Sequence, residues 1–440
     1  MVKMAKVTLM MLLAVAVTGC STSKSEAPGG AAAGDAGTAA VNQEPVTLKF
    51  FLKSSLSDVD LYVNNYVKKK FPNVTLEVMK TGKGQTIQDL IATGNMPDII
   101  WEGLSNIQQI TQYDVPMDLT ELIKKHKLDL NIFSPNVVNA IKAYAPKDEI
   151  YFVPYNEFIL ALHYNPDIFD KFGVPYPKNN PTWEEVIEIG RKLTRTEGTT
   201  HYRGLKLPII NRFTSQMNLS YINPATGKSN FQSDSWRKFF EFYKAAQDVP
   251  NQEPIKSASG AKDEFMTKRT LAMFPDHIQL QNTDMEAMEA QGLKWDVVTY
   301  PMFKDKPNFG PAGFSDGFVI PKGTKNADIA FQVIQYLSSN PEVQLEATKN
   351  GRITALKDKN IRKHAFENNP AAKGKNLANV VMDYGAEIPS KFTFFDKEGY
   401  DIASKKVVEY TVGKSDLNTI LRQAEEEHNK AIEEVKAGLR

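Results

Sequence analysis

The segment Tyr151–Pro166 constrains the fold of this chain more than any other stretch. Two aromatic-rich apolar runs, Ile150–Val153 and Phe158–Tyr164, have the length and composition of β-strands. Pro154 ends the first run because proline lacks the amide hydrogen that strand pairing needs. Pro166 ends the second run and can occupy the first turn of a following helix. Two strands therefore meet at a short polar joint.

The joint consists of Tyr155, Asn156 and Glu157, which supply an aromatic ring, an amide and a carboxylate. An ordinary break between two strands of one sheet would explain this pattern. A crossing of the chain between two lobes, with the joint facing a cleft, would explain it as well. We favour the crossing because clefts between domains are common ligand sites.

Length and composition indicate a protein of two or three domains. The chain has 440 residues, of which 42% are apolar and 24% charged, as in ordinary soluble proteins. It has 52 acidic and 53 basic residues, and no clustered basic face predicts a nucleic-acid partner. Cys20 is the single cysteine, which excludes a disulfide framework and a thiolate metal site.

The N-terminus has the pattern of a targeting signal. Lys3 and Lys6 precede the apolar run Val7–Val17, which is too short for a stable membrane span. Small residues and Cys20 follow, and this order resembles the lipobox of bacterial lipoproteins. The resemblance implies that residues 1–19 are a signal peptide and that Cys20 is lipidated at the extracytoplasmic face of the cell membrane. A plain secretory signal with a chance cysteine is the alternative.

Residues 20–44 are predicted to be a flexible linker. This stretch is rich in serine, glycine and alanine and has almost no large apolar residue. Such a segment cannot bury enough apolar surface to fold. We therefore expect it to tether a globular body to a membrane.

The first part of the body alternates strands with helices. The predicted strands are Val46–Lys53, Thr75–Met79 and Asp98–Trp101, and the predicted helices between them are Asp58–Phe71 and Ile87–Thr93. This alternation indicates an α/β lobe with a largely parallel sheet.

The alternation resumes beyond the joint. Thr182 and Glu185 form a capping box that predicts the start of a helix. The further predicted helices are Trp183–Thr196, Trp236–Val249, Ala327–Ser338 and Asp416–Ala437. The further predicted strands are Gly204–Ile210, Thr270–Phe274, Trp295–Tyr300 and Phe314–Pro321. The aromatic stripe of the helix at 236–249 is more typical of a core than of a cofactor site.

Motifs for catalysis are missing from the sequence. There is no HExxH, GxSxG or GxGxxG motif, and the six histidines lack metal-ligand spacing. Neither a cofactor nor a metal is predicted. A pair of carboxylates such as Glu157 and Asp316 leaves a glycosidase open.

An ordered set of segments resembles the extracellular solute-binding proteins of ABC transporters, the broad family that includes maltose-binding protein. The matching segments are Phe71–Val74, Ala92–Ile100, Val153-Pro154, Tyr164–Phe169, Thr182–Glu185, Ala272-Met273 and Gly317–Gly323. The resemblance implies a non-enzymatic, monomeric protein with a two-lobed periplasmic-binding-protein-like α/β fold, in which hinge crossings flank a ligand cleft. It also implies hinge closure on a solute, which is then delivered to the transmembrane permease subunits. We expect lobe 1 to comprise 45–154 with 311–358, and lobe 2 to comprise 155–310 with 359–440.

The candidate solute contacts follow from strand ends and from the resemblance. Ligands of open α/β sheets bind beyond the carboxyl ends of the strands. This rule selects Ser54, Ser55, Trp101, Glu102, Tyr155, Asn156 and Glu157. The resemblance adds Asp276, Gln279, Phe394 and Phe395, and Asp316 lies in a glycine-flanked loop. Aromatic rings combined with amides and carboxylates suit a carbohydrate.

One departure from the family pattern concerns the loop after Ala272-Met273. Sugar-binding members often carry a tryptophan there, whereas this loop reads Asp276-His277-Ile278-Gln279. The stacking surface would then be smaller or come from elsewhere. A surface-anchored carbohydrate hydrolase and a solute sensor for a membrane receptor remain the alternative functions.

Replacement of the single cysteine tests the lipid anchor. Cys20→Ser removes the thiol that would carry the lipid, so we expect the protein to leave the membrane fraction or to remain unprocessed. Cell fractionation and the mass of the mature chain measure this. Unchanged membrane association with normal processing would contradict the lipobox interpretation.

Overall fold

Two five-stranded sheets, each covered by helices on both faces, carry the fold. The computed structural model describes residues 44–145, 147, 149–250, 263–278, 285–381, 386, 388–389 and 391–438. Within them the strands are β1 (Val46–Leu52), β2 (Val74–Lys80), β3 (Ile99–Gly103), β4 (Val153–Pro154), β5 (Leu160–Tyr164), β6 (Arg195–Glu197), β7 (Thr200–Leu205), β8 (Ile222–Asn223), β9 (Lys228–Ser229), β10 (Leu271–His277), β11 (Asp296–Thr299) and β12 (Asp316–Val319).

The helices of the described residues cover the faces of these sheets. They are α1 (Asn65–Lys70), α2 (Ile87–Thr93), α3 (Gln108–Thr111), α4 (Thr120–Lys125), α5 (Pro135–Tyr144), α6 (Pro166–Phe172), α7 (Trp183–Leu193), α8 (Ile210–Gln216), α9 (Asp234–Gln247), α10 (Met285–Ala290), α11 (Ala327–Ser339), α12 (Pro341–Lys349), α13 (Lys359–Arg362), α14 (Leu377–Val380), α15 (Asp396–Thr411) and α16 (Leu417–Gly438). None of them has the length and apolar character needed to cross a bilayer.

The first sheet has the strand order β2-β1-β3-β12-β4. β1 pairs in parallel with both β2 and β3, as the alternation of strands and helices predicted. β12 returns late in the chain and pairs antiparallel with β3 and β4. The sheet is therefore parallel on one side and antiparallel on the other.

The second sheet has the strand order β11-β5-β10-β7-β6. β5 runs antiparallel to both β10 and β11, and β10 pairs in parallel with β7. The α/β fold class expected from the sequence is confirmed, although both sheets are mixed rather than largely parallel.

Consecutive residues of the central strands fill opposite faces of each sheet. Phe50 packs into one cluster of the first sheet, and its neighbour Phe51 packs into the cluster on the other face. Leu162 and Ala161 do the same in the second sheet. Because side chains alternate along a strand, helices on both sides are needed to bury these apolar residues.

The chain passes between the two sheets at hydrogen-bonded crossings. The joint that follows β4 leads to β5 in the second sheet, which confirms the crossing favoured from the sequence. The Tyr155 amide donates to the Asp316 carbonyl oxygen at 2.9 Å, and the Glu157 amide donates to the Ile353 carbonyl oxygen at 2.8 Å. Three segments therefore lie side by side, and we call them the crossings: the joint, the segment 310–316 that enters β12, and the segment 352–358 that follows α12, which is the third. The lobe limits at 154/155, 310/311 and 358/359 remain a prediction.

Two predicted elements differ from the structure because of a hairpin. The helix predicted to reach Thr196 ends at Leu193, and β6 begins at Arg195. Gly198 has a φ of +58°, which permits the tight turn that pairs β6 with β7. The strand predicted over Gly204–Ile210 is therefore shifted to 200–205.

Other local predictions are confirmed. Thr182 and Glu185 form both hydrogen bonds of a capping box at the start of α7. The aromatic stripe of α9 is fully buried in the core of the second sheet, as its spacing predicted. These segments carry strong local signals, and the tertiary structure agrees with them.

Candidate functional site

A cavity of about 380 Å³ lies between the helices of the two sheets. The loop after β3, together with α3 and α5, forms the wall on the side of the first sheet. The opposite wall comes from α8 and from the start of α15, and the crossing at Ala312–Phe314 lines the cavity between them. This volume lies within the usual range for sites that bind small molecules.

Six neutral amide side chains belong to the polar surface of the cavity. They come from both walls and are Asn106, Gln108, Gln109, Gln112, Asn211 and Asn218. Each carboxamide offers two N–H donors and one acceptor oxygen. Such a surface can hydrogen-bond hydroxyl groups without carrying a charge.

Aromatic side chains form the apolar part of the lining. They are Tyr144, Phe314, Phe392, Phe394 and Tyr400. Phe394 is the one predicted contact that belongs to the lining among the described residues. Phe395 is outside this lining; its carbonyl oxygen pairs with His428 Nε2 at 3.0 Å, and its ring lies under Lys436.

Glu102 lies directly beneath the wall that β3 supports. Its side chain is fully buried, and Oε1 accepts hydrogen bonds from the Gly103 amide at 2.8 Å and from Asn106 Nδ2 at 3.2 Å. The Ser54 hydroxyl donates to the same oxygen. The edge of the sheet that the strand-end rule selected lies beside this cavity, but Glu102 and Ser54 are not in its lining, and Glu102 holds the lining amide of Asn106 from behind.

Lys53 extends this support. Its ammonium group pairs with Glu102 and donates to Gln109 Oε1 at 3.1 Å. Ser55 is exposed and does not belong to the lining. A buried carboxylate and a lysine thus hold two neutral amides at the cavity surface.

Trp101 and Tyr155 pack in the core of the first sheet, which corrects the expectation that they line the cleft. Both side chains are 0% exposed. The Trp101 ring centroid lies 5.5 Å from that of Tyr155 and 5.3 Å from that of Phe318. The Tyr155 hydroxyl donates to the Tyr62 carbonyl oxygen at 3.0 Å. Their side chains share the covered face of the sheet, so neither ring can stack on a solute in this conformation.

Asn156 and Glu157 are also buried rather than directed into the cavity. Asn156 is 0% exposed and forms a bridge with Thr354 of the third crossing. Glu157 forms an ion pair with Arg362 at 2.8 Å, and the Ser134 hydroxyl lies 3.4 Å from its other oxygen. A shielded carboxylate needs a base or a hydrogen-bonding solute, and here Arg362 is the partner.

Asp316 forms the second buried ion pair at the crossings. Its Oδ2 lies 3.2 Å from Nη1 of Arg352, which is fully buried. Burial raises the pKa of Asp316 to about 6, against the opposing charge of Arg352. Because Glu157 and Asp316 are each engaged by an arginine, the geometry does not favour them as a catalytic carboxylate pair.

Asp276 lies one residue before the end of β10 and pairs with Arg212. Its Oδ1 lies 3.3 Å from Arg212 Nη2 and accepts the His277 amide at 2.8 Å. Burial opposes ionisation, but the hydrogen bonds from His277 and the charge of Arg212 hold the pKa of Asp276 below its usual range. Gln279 lies outside the described residues, as does Cys20. No group of three metal-ligating side chains occurs in the described part of the chain.

Asp396 is a half-buried acidic residue of the cavity wall. Burial raises its pKa to about 6, although the Thr393 hydroxyl donates to it at 2.6 Å. The neighbouring Lys397 is neutralised by Asp401 at 2.7 Å. Lys397 and Asp401 therefore neutralise each other, and Glu398 contributes a further carboxylate to this wall.

A clasp that the sequence did not predict joins the two walls. It consists of Lys391 and Phe392 on one side and the C-terminal end of α5 on the other. The Phe392 ring stacks on Tyr144 at 3.9 Å, and its amide donates to the Ala143 carbonyl oxygen at 2.9 Å. Lys391 Nζ donates to the carbonyl oxygens of Lys142, Ala145 and Lys147 at 2.7, 3.0 and 3.2 Å. A cation is favourable at the C-terminal end of a helix.

The other end of α5 touches a crossing. A Cβ placed on Gly313 would lie 2.8 Å from the Val137 amide nitrogen, so the two backbones are in close contact. One helix therefore runs from the crossings to the clasp along the side of the cavity.

Truncation of Trp101 distinguishes a core role from a cavity role. Trp101→Ala removes a fully buried ring, and we expect it to lower the free energy of unfolding by about 3–5 kcal/mol. Phe394→Ala is the matched control, because it removes a half-buried ring of the cavity lining and should cost less. Urea unfolding followed by circular dichroism measures both. Equal and small losses would contradict the core placement of Trp101.

Comparison with known proteins places the chain in a family. The family model described as bacterial extracellular solute-binding protein matches residues 53–344. An arabinooligosaccharide-binding protein of Bacillus subtilis is 23% identical over 353 residues, covering 76% of this chain and 75% of the relative. A putative ABC transporter periplasmic-binding protein of Escherichia coli, YcjN, is 23% identical over 308 residues, covering 64% of this chain and 67% of the relative.

Solved structures share the fold at low sequence identity. The ABC substrate-binding protein Lmo0181 from Listeria monocytogenes, in complex with cycloalternan, has a TM-score of 0.68 at 20% identity, covering 88% of this chain and 99% of that one. The mannobiose complex of CpMnBP1 has a TM-score of 0.65 at 19% identity, covering 88% and 100%. The sugar-binding protein MalE of Xanthomonas citri has a TM-score of 0.66 at 16% identity, covering 89% and 98%. The two-lobed fold and the family resemblance are thus confirmed, and the chain belongs to the bacterial extracellular solute-binding proteins.

Proposed function

We propose that this protein binds an oligosaccharide in the cavity between its lobes and delivers it to the permease of an ABC importer. The observation that carries the proposal is the lining, in which six neutral carboxamides accompany five aromatic rings. Sugars present hydroxyl groups along their edges and apolar C–H groups on their faces. Amides match the hydroxyls, and rings match the faces.

The similar proteins support a sugar as the solute. One relative is named for arabino-oligosaccharides, and similar structures hold cycloalternan and mannobiose. Those ligands are properties of those proteins. Together with the neutral amides of the lining, they make a neutral oligosaccharide the first class to test here.

Binding would couple to closure of the two lobes. Asn106 and Gln109 come from the wall of the first sheet, whereas Asn211 and Asn218 come from that of the second. A solute that contacts both walls binds the closed form more tightly than the open form. That difference in affinity shifts the population toward closure, and the permease would recognise the closed shape.

A lipid on Cys20 would hold the protein at the extracytoplasmic face of the cell membrane. Residues 20–44 would serve as the tether, and the body would act as a monomer beside the transmembrane permease subunits. The order of charged, apolar and small residues before Cys20 supports this arrangement.

A thermal-shift screen tests the proposed function. Arabinotriose, mannotriose and maltotriose are the test sugars, and tripeptides and spermidine are the matched non-sugar ligands. A sugar at 100 times its dissociation constant should add about 2.7 kcal/mol to the free energy of unfolding. Stabilisation by a peptide or by spermidine, with none by the sugars, would contradict the assignment of a carbohydrate as the solute.

The clasp should favour the closed form. The double variant Lys391→Ala/Phe392→Ala removes a ring stack and three side-chain hydrogen bonds between the walls, so the open form should gain population without sugar. Small-angle scattering should then show a larger radius of gyration than in the wild type. Apparent affinity for the sugar should fall about tenfold, because less of the protein is competent to bind.

A surface variant of α15 provides the control for the clasp. Lys405 is exposed and pairs with Glu427 of α16 at 3.8 Å, away from the cavity. Lys405→Ala should leave scattering and affinity unchanged. If the double variant also scatters and binds like the wild type, the clasp has no role in closure.

A further inference from the structure

We propose that Arg212, held by Asp276, positions the ring of Phe314 as a stacking platform for the sugar. The inference deepens the proposed function and rests on it. Arg212 would act as a positioning residue, because its contact with the solute is made through Phe314.

The Phe314 ring lines the cavity and is contacted on one face by Arg212. Its ring is half-buried, lines the cavity and belongs to the crossing that leads into β12. The guanidinium carbon of Arg212 lies 4.2 Å from the ring centroid. One face of the ring is therefore covered by a cation, and the cavity lies against the remaining surface. A cation over one face stabilises the ring in one orientation.

Arg212 is itself held in place by rigid elements of the second lobe. It lies in α8 and is 9% exposed, and its Nη2 group contacts Oδ1 of Asp276 at the end of β10. The His277 amide donates to the same oxygen at 2.8 Å, which fixes the carboxylate. The planar guanidinium can contact the ring with its face while its edge binds the carboxylate.

The backbone of Phe314 is tied to the same lobe. Its carbonyl oxygen accepts the Phe158 amide at 2.8 Å, just before β5, and the Phe158 ring lies 5.5 Å from that of His277. The contacts that hold the platform thus come from α8, β10 and the segment before β5. The ring would keep its orientation relative to the second lobe when the lobes separate.

This arrangement gives the polar end of β10 a role in sugar binding. Asp276, His277 and Ile278 supply no tryptophan, tyrosine or phenylalanine, and none of them lines the cavity. Asp276 holds the arginine that orients a ring on a different segment. The predicted solute contact at Asp276 becomes an indirect one, made through Arg212 and Phe314.

A double-mutant cycle tests the coupling. Arg212→Met keeps much of the side-chain volume but removes the cation and its planar group. We expect Phe314→Ala and Arg212→Met each to weaken binding about tenfold. In the Phe314→Ala background, Arg212→Met should have almost no further effect, because it acts through the ring. The affinities are measured by calorimetry with whichever of arabinotriose, mannotriose and maltotriose binds the wild type.

Two further variants show whether a loss of affinity comes from the proposed contact or from a general loss of structure. Arg203 pairs with Glu264 at 3.2 Å in the same lobe and does not line the cavity, so Arg203→Met should leave affinity unchanged. Asp276→Asn keeps the shape of the carboxylate but weakens its hold on Arg212, and it should shift affinity in the same direction as Arg212→Met. Additive losses in the cycle would overturn the proposal.

A measurement without sugar separates this inference from the proposed function. A 4-fluorophenylalanine incorporated at position 314 reports the order of the ring through its fluorine resonance. Arg212→Met should shift and broaden this resonance, whereas Arg203→Met should not. An unchanged resonance would overturn the positioning role. If the resonance changes but none of the three sugars binds, the carbohydrate assignment fails instead.

Discussion

Two buried ion pairs at the crossings hold the framework on which the rest of the structure depends. Glu157 pairs with Arg362 and ties the joint to α13, and Asp316 pairs with Arg352 and ties the start of β12 to the third crossing. Charges so far from water are costly unless each has a well-placed partner. The backbone hydrogen bonds between the crossings fix the same register. These contacts fix the position of the two walls relative to each other, because both walls are attached to the crossings.

On one wall of the cleft, charged side chains lie beneath the surface and neutral amides lie at the surface. Glu102 and Lys53 are engaged with each other beneath the surface and hold Asn106 and Gln109, so this part of the wall presents amides rather than ions to the cavity. The Arg212–Asp276 ion pair likewise lies behind the Phe314 ring, which is the group that lines the cavity. A charged side chain holds its hydration water tightly, and a hydroxyl group must displace that water to bind it. A neutral amide can hydrogen-bond a hydroxyl group without this cost. A solute-binding protein that must also release its cargo gains from contacts of this moderate strength.

The sequence predicted the fold better than the site, for physical reasons. Local signals such as the capping box of Thr182 and Glu185 act over a few residues and determine where elements begin. The strand-end rule found the edge at Glu102, but it could not tell a lining side chain from one a layer deeper. Trp101 and Tyr155 have the composition of a sugar site, yet tertiary packing buries them. The contact of Lys391 with Lys142 joins residues 249 positions apart, and no local pattern encodes it.

Helix α5 connects the crossings to the clasp, so its length determines how far the clasp would move when the angle between the lobes changes. Its backbone touches the crossing at Gly313 near Val137, and its other end meets the clasp at Tyr144. Seven residues of helix separate these points, an arm of about 10 Å, so a rotation of about 10° moves the far end by about 2 Å. Hydrogen bonds do not survive such a displacement. In the proposed closure, the clasp would therefore be either fully formed or broken, and the two lobes would switch between two states without stable intermediate angles.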